Sequence, residues 1–379
     1  MLDFTSAVYL GMRHASGSLQ PWEQLTTGVP SALAAPPAAT ELAHRLARLQ
    51  GCERAALAPS TLHLFWDLFG LLVGDSSAIY VDEGLYPVGR WGVERAAARG
   101  VAVRNFPHHD ADALGRLLLR EARARRRPVV VADGFCTGCG RHAPVTSYLR
   151  LALEYGGRLV MDDTQAIGIF GRRGDDDDGC PAPYGKGGGG TLRRFNLDGA
   201  GVLAVSSLAK GFGAPVAVLA GSRAAVERFE RGSDTRVHCS PPSMAVIRAA
   251  AQALALNRKC GDELRLRLAR LVHHFRCRAK EAGFPSVGGL FPVQTLAPSR
   301  AIDPPSLHRH LLRRGIRTVL RRSRCGRGAL LSFVINARHR PEDIQRAADA
   351  LATSGALMKL EIVSRAGDDQ RARLDISEV

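Results

Sequence analysis

The residues of this chain best placed to do chemistry are an amine and a carboxylate, each set directly after an apolar run. The amine is Lys210, in Ser206-Ser207-Leu208-Ala209-Lys210-Gly211-Phe212-Gly213, which follows the strand-like Gly201–Val205. A lysine in so small and apolar a setting is desolvated, which favours the neutral, nucleophilic amine. Ser207, three residues earlier, could reach a phosphate held beside that lysine. Gly211 and Gly213 would let the backbone pass close to a ligand. The carboxylate is Asp162 or its neighbour Asp163: Arg158–Met161 alternates as a strand, and Asp162-Asp163-Thr164-Gln165 follows directly. Side chains alternate at a strand end, so one of the two aspartates faces the crevice. There it could bind a metal, act as a base or pair with a protonated ring nitrogen; the plain alternative is a strand-end turn aspartate.

The composition sharpens the reading of Lys210. Of 52 basic residues only five are lysines, at positions 186, 210, 259, 280 and 359. Arginine cannot form a Schiff base, so a chemically required lysine survives such a bias. The net charge of +16 suits an anionic partner: a phosphate, coenzyme A or an acidic carrier protein. The basic residues also read as solvated helix faces, as over Glu263–Arg278. No stretch interleaves aromatic and basic residues, so no nucleic-acid partner is expected. The opening Met1-Leu2-Asp3-Phe4 lacks a basic segment followed by an apolar run, so no signal peptide is expected. The most apolar segment, Leu62–Val73, holds His63 and Asp67 and reads as a buried helix, so no membrane partner is expected either. The eight cysteines form no secreted framework, and a cytoplasmic location fits them. Cys136-Thr137-Gly138-Cys139 is a lone C-x-x-C with no evident second ligand pair, so no metal site is expected.

The elements that must position these groups are an alternation of strands and helices. Ala78–Val81, Val101–Phe106, Pro128–Ala132, Arg158–Met161, Val202–Val205 and Val216–Ala220 read as strands. Between them Glu41–Gln50, Leu62–Val73, Val88–Ala98, Ala111–Arg125 and Val145–Tyr155 read as helices. The fold class this implies is α/β, with a mostly parallel sheet covered on both faces and ligands outside the carboxyl ends of its strands. Arg172–Gly190, with Asp175–Asp178 and Gly187–Gly190, reads as a flexible surface loop. After Pro241-Pro242 come helices Ser243–Asn257 and Glu263–Glu281, weaker strands at Phe291–Leu296 and Ala329–Ile335, and a helix Arg340–Leu351. The expected organisation is an N-terminal arm (1–40), a large domain (41–242), a smaller α+β domain (243–356) and a polar tail (357–379).

The lysine segment Ser207-Leu208-Ala209-Lys210-Gly211-Phe212-Gly213 resembles the S/T-x-S-K-x-F-G pattern of the α-oxoamine synthases. These are fold-type I transferases dependent on pyridoxal 5′-phosphate (PLP). The family's D-D-A-H-G-x-G-x-x-G is similar to Asp162–Gly171, and its E-G-x-x-S-M-x-G-x-x-A-P to Asp133–Pro144. Tyr9-Leu10-Gly11 and Ala337-Arg338-His339 also fit, so the resemblance spans about residues 3–353 in order. It implies that Lys210 carries PLP as a Schiff base and that Asp162 keeps the pyridine nitrogen protonated, so that the ring is an electron sink. It implies phosphate contacts from Ser207, Ser60 and Thr61, the last two at the start of the helix Leu62–Val73. Thr137 falls in the second motif and joins the cofactor-binding set. Tyr86 stands where the family stacks a histidine on the ring, and Gln165 where it places one near the phenolic oxygen. Cys239-Ser240 is a loose match to a Ser-Thr pair that reaches the phosphate of a second subunit, which implies a homodimer and puts Ser240 in the site.

The family's substrate-carboxylate arginine aligns with Ser332. Either Arg13 or the Arg321-Arg322-Ser323-Arg324 cluster replaces it, or the substrate lacks a free α-carboxylate. The resemblance therefore implies condensation of an amino acid with an acyl thioester, on coenzyme A or a carrier protein. The alternative is an aminotransferase acting on an amine or keto substrate without that carboxylate contact, and a third reading is a non-catalytic protein that kept the fold.

Overall fold

The computed structural model describes residues 1–74, 76–121, 126–173, 182–299, 303–322 and 328–354. It divides into two compact units, Ala7–Leu266 and a second made of Met1–Ser6 with the residues from Arg267 on. The first unit holds a seven-stranded sheet. Its strands are β1 (Arg54–Ala58), β2 (Ser77–Asp82), β3 (Ala102–Phe106), β4 (Arg127–Asp133), β5 (Arg158–Asp162), β6 (Val202–Ser207) and β7 (Ala217–Gly221). They lie in the order β1-β7-β6-β5-β4-β2-β3. Five neighbours run parallel from β3 across to β6, whereas β7 is antiparallel to both β6 and β1. The sheet is thus mostly parallel, the α/β architecture expected.

Alternation along each strand builds two cores, one per face. Ile79, Val81, Val129, Val131, Leu203 and Val205 face one core, closed by Leu64, Phe65, Leu68 and Phe69 of α2 (Thr61–Leu72) and Val93 of α3 (Pro87–Ala97). Ala78, Tyr80, Val130, Ala132, Val202 and Ala204 face the other, closed by Leu114 and Leu118 of α4 (Ala111–Glu121) and Tyr148 and Leu149 of α5 (Val145–Glu154). Fully burying such a side chain contributes about 1.5–3 kcal/mol. The helices can lie close because of small residues at the contact: a Cβ on Gly92 of α3 would stand 2.4 Å from the Phe65 carbonyl oxygen of α2.

Three points need correction, the first of them a strand that the sequence reading leaves unassigned. The strand β1 has no β-branched residue, yet its backbone pairs Ala58 with Ala217 through to Arg54 with Gly221. The two helices expected after Pro241-Pro242 are one, α6 (Met244–Glu281). Gly261 does not break it. A side chain there would collide with Asn257 Oδ1 at 2.4 Å and Arg265 Nη2 at 2.9 Å, so glycine makes room for the buried Arg265 guanidinium. That guanidinium donates to Gly168 O (2.8 Å), Asn257 Oδ1 (2.9 Å) and Asp262 Oδ1 (2.7 Å).

The third correction concerns the glycines at 187–190, which are packed rather than loose. Asn257 Nδ2 donates to Gly187 O, Gly168 N donates to Gly188 O, and Gly188 and Gly190 hold φ of +69° and +85°. Residues 174–181 of that loop, with Asp175–Asp178, lie outside the described residues, as does the expected tail 357–379.

The second unit contains a four-stranded antiparallel sheet of β8 (Ser286–Val287), β9 (Val293–Leu296), β10 (Val319–Arg322) and β11 (Ala329–Val334), in the order β8-β9-β11-β10. Leu2–Asp3 pairs in parallel with Ile316–Arg317. A helix over 341–354 follows. Among the described residues, no helix is long and apolar enough to cross a membrane.

Candidate active site

The strand ends of the large sheet converge on a cavity of about 230 Å³ lined by Thr61, Tyr86, Val88, Asp133, Asp162, Thr164, Gln165, Ser207 and Lys210. It lies where a parallel sheet is expected to bind ligands, beyond the carboxyl ends of β4, β5 and β6. Of the residues expected from the sequence, Lys210, Asp162, Gln165, Tyr86, Thr61 and Ser207 are brought together here. Ser60, Thr137 and Ser240 are not on this lining. Ser60 is the N-cap of α2, and its hydroxyl meets His63 Nδ1 at 2.9 Å. Thr137 is half-buried in the turn of a hairpin after β4, and Ser240 is exposed.

Each lining group has an identifiable support. Lys210 follows the end of β6, with its carbonyl accepting from Tyr9 N at 3.1 Å and its Nζ 5.6 Å from the centre of the Tyr86 ring. A cation over an aromatic face is favourable, so Tyr86 is held toward the amine. The Tyr86 amide donates to Asp133 Oδ1 at 3.0 Å, anchoring that loop to the end of β4. Asp162 ends β5, with Oδ1 accepting from Thr164 N at 3.0 Å. Thr164 Oγ1 in turn accepts from Ser207 N at 3.0 Å, tying the β5 loop to the β6 loop. Gln165 Oε1 accepts from the buried Tyr9 hydroxyl at 2.7 Å, which leaves its amide nitrogen as the group able to donate. Ser60 makes no side-chain cap on α2, so the first-turn N–H groups are not taken by it.

The structure also resolves which aspartate serves the cavity. Asp162 lines it. Asp163 is buried in the opposite direction, with Oδ2 accepting from Thr191 N at 2.9 Å and Oδ1 without a hydrogen-bond partner. Desolvation by burial raises its carboxyl to about 7, against the hydrogen bonding from Thr191. The glycines of the lysine segment serve the protein rather than a ligand. A Cβ on Gly211 would meet Ile167 O at 2.4 Å, and Gly213, at φ +66°, abuts Met12 O. Asp133 and Thr164, which the motifs do not single out, also line the cavity, at and just beyond strand ends. Being adjacent to a strand end is the signal that finds them.

In the second unit, Ser332 is buried and its hydroxyl meets Thr295 Oγ1 at 2.8 Å. Thr295 Oγ1 also accepts from Arg321 Nη2 at 3.3 Å, so an arginine stands one hydroxyl away from Ser332 within this sheet. Ser323 and Arg324 lie outside the described residues.

The chain is similar to known proteins over much of its length. No family model matches the chain. It is 28% identical over 262 residues to an 8-amino-7-oxononanoate synthase from Alkalilimnicola ehrlichii, covering 68% of this chain and 63% of that one. It is 29% identical over 317 residues to the synthase of the same name from Geobacter sulfurreducens, covering 83% and 76%. Among solved structures, a serine palmitoyltransferase variant from S. paucimobilis with PLP and myriocin bound superposes with a TM-score of 0.81 at 16% identity, covering 94% of this chain and 88% of that one. The chain has the fold-type I architecture, and its sequence is α-oxoamine synthase-like over most of its length.

Proposed function

We propose that this chain is a PLP-dependent transferase of the α-oxoamine synthase type, condensing an amino acid with an acyl thioester. The observation that carries the reading is the placement of Lys210, Asp162 and Ser207 on one cavity with the start of α2. An amine for the cofactor's aldehyde, a carboxylate for its ring nitrogen, and hydroxyls beside a helix N-terminus for its phosphate are the donor set that PLP requires. The residues present fit the group.

When bound, PLP supplies an electron sink for negative charge developing on the carbon next to the substrate's nitrogen. The chain's own residues do the rest. Lys210 Nζ would hold the cofactor and, as an amine beside the substrate carbon, would take and return a proton there. Asp162 would keep a proton on the ring nitrogen. Thr61, Ser207 and the N–H groups of the first turn of α2 would hold the phosphate, with Ser60 and Thr137 as supports. Tyr86 would stack on the ring. Gln165, oriented by Tyr9, would donate to the phenolic oxygen without titrating.

The basic surface, net +16, suits coenzyme A or an acidic carrier as the thioester's bearer. The exposed Ser240 supports a homodimer in which that segment reaches the neighbouring subunit's phosphate. A cytoplasmic location accords with the cysteine usage and the lack of a membrane-crossing helix among the described residues.

The test has two parts. Borohydride reduction of the PLP-loaded protein is expected to fix the cofactor on Lys210, read by peptide mapping; an adduct on another lysine overturns the site. Incubation with amino acids and acyl thioesters is expected to release free thiol only when both are present. Amino transfer to a keto acid with no thioester consumed overturns the reaction.

A further inference from the structure

A second set of reactive side chains gathers at the neighbouring strand ends, outside the Lys210 cavity. His108 and His109 occupy the turn between β3 and α4. Cys136 and Cys139 come from the hairpin after β4, formed by Phe135–Cys136 and Arg141–His142. His108 Nε2 lies 3.4 Å from Cys139 Sγ, and His109 Nδ1 lies 3.8 Å from the same sulfur. These three atoms all fall within 4.8 Å of one another. Cys136 is a further hydrogen-bonding partner of His108, its sulfur standing outside that 4.8 Å group.

The spacing is informative. Zinc bonds of about 2.3 Å to sulfur and about 2.0–2.1 Å to nitrogen give a tetrahedral sulfur–nitrogen edge of roughly 3.6 Å. The two observed separations bracket that edge. The one sulfur faces both imidazoles at once, the arrangement in which a thiolate and two rings share an ion. The rings sit with centroids 3.7 Å apart. His109 adopts φ +61°, a strained region for a non-glycine residue, and its Nε2 is buried without a hydrogen-bond partner.

The surroundings are arranged to aim His108. Asp82, at the end of β2, accepts from His108 Nδ1 at 2.6 Å. The same carboxylate accepts from Gly84 N (2.7 Å), His109 N (3.0 Å) and the Tyr148 hydroxyl (3.0 Å), so it is fixed in place. Asp82 thus fixes the ring through Nδ1 and turns Nε2 toward Cys139, the carboxylate–histidine arrangement that orients metal ligands. Gly84 has to be glycine here, since a Cβ would stand 2.1 Å from His108 Nδ1.

We propose that His108, His109, Cys136 and Cys139 form a structural site for one zinc ion, separate from the cofactor cavity. Two thiolates and two neutral imidazoles cancel the charge of the dication. C-x-x-C is the spacing with which two thiolates share one tetrahedral ion, and the adjacent histidines supply the other pair. Binding releases one proton from each thiol, so it tightens as pH rises. The ion ties the β3–α4 turn to the hairpin after β4.

The holoenzyme, purified without chelator under reducing conditions, is analysed for bound metal and titrated with Zn²⁺ and Co²⁺ against a coloured chelator. The expected result is one Zn²⁺ per chain, and with Co²⁺ the visible bands of a tetrahedral complex with thiolate charge transfer. Cys136→Ser and Cys139→Ser should each weaken Zn²⁺ binding by more than the roughly 10–100-fold typical of losing an outer partner. Cys277→Ser, at an exposed thiol, should change nothing. The PLP absorbance of each variant reports that it has folded, and a rise in wild-type Tm on adding Zn²⁺ needs no variant. Failure of the reduced wild type to bind Zn²⁺ or Co²⁺ overturns the site. So does binding that survives both serine substitutions, a Co²⁺ spectrum without thiolate bands, or a Cys136–Cys139 disulfide in protein isolated anaerobically.

Discussion

The Lys210 cavity and the His108–Cys139 cluster lie along the same edge of one sheet, yet they are built in opposite ways. Around Lys210 the side chains stand back to line about 230 Å³, room for an organic ring. Around Cys139 they converge to within 4.8 Å, room for an ion. Both depend on an aspartate that ends a strand: Asp162, registered with Val205, and Asp82, registered with Phe106. In the function and the site proposed above, the carboxylate's task is to hold a ring nitrogen, the cofactor's in one and that of His108 in the other. The difference is where the ring comes from. One edge of one sheet thus offers the same device to a foreign ring and to a side chain of the protein.

Asparagine at each position tests that parallel, since it preserves shape and removes charge. Asp162→Asn should lower turnover on the order of 100-fold or more, while PLP remains bound through Lys210 and the phosphate contacts. Steady-state rates together with the cofactor's absorbance check it, and near-normal turnover with PLP retained would remove Asp162 from its role. Asp82→Asn should leave PLP in place and weaken Zn²⁺ about 10–100-fold, as loss of an outer carboxylate does. Competition against a chelator measures that change. If Asp82→Asn instead releases PLP and leaves Zn²⁺ untouched, the two regions are coupled in a way the parallel does not allow.

The two regions also differ in how far the sequence reveals them. The cavity could be read because its groups are contiguous with strands buried on both faces, which appear as apolar runs, and chemistry falls directly after each run. Ser207 and Lys210 needed only that, whereas Asp162 is set apart from Asp163 by the motif resemblance alone. The cluster could not be read in this way. Its cysteines form a C-x-x-C, but its histidines are adjacent rather than spaced, and only the parallel pairing of β3 with β2, and of β2 with β4, brings the two pairs together. Elsewhere local composition hides or blurs the element. Ala55-Ala56-Leu57-Ala58 carries helix formers, and only tertiary pairing makes it a strand. Gly261 and the glycines at 187–190 look like breaks, whereas they admit the Arg265 guanidinium and tight backbone approaches.

The smallest effect sharpens the contrast within the Asp162-Asp163 pair itself. Asp163 faces the core, and burial raises its carboxyl to about 7, well above the ordinary value near 3.9. Below about pH 4 the folded and unfolded chains both hold this proton, and its contribution to stability is complete. As pH rises toward 7, the unfolded chain releases the proton while the folded chain keeps it, so stability is lost across that window. Above it both forms are ionised and the loss levels off. One proton is at issue, so the folding constant changes by at most about tenfold per pH unit. Asp163→Asn removes the titration, and its amide can donate to Thr191 Oγ1, itself buried without a partner. Denaturant unfolding of both proteins at about pH 5, 6 and 7 should therefore show the wild type losing ground to the variant as pH rises. Turnover should stay within a few-fold, because Asp163 does not line the cavity. A wild-type advantage that stays constant across the window would mean that Asp163 is ionised in the core, held by partners other than Thr191. Loss of turnover without loss of stability would mean that the two aspartates share the ring nitrogen after all.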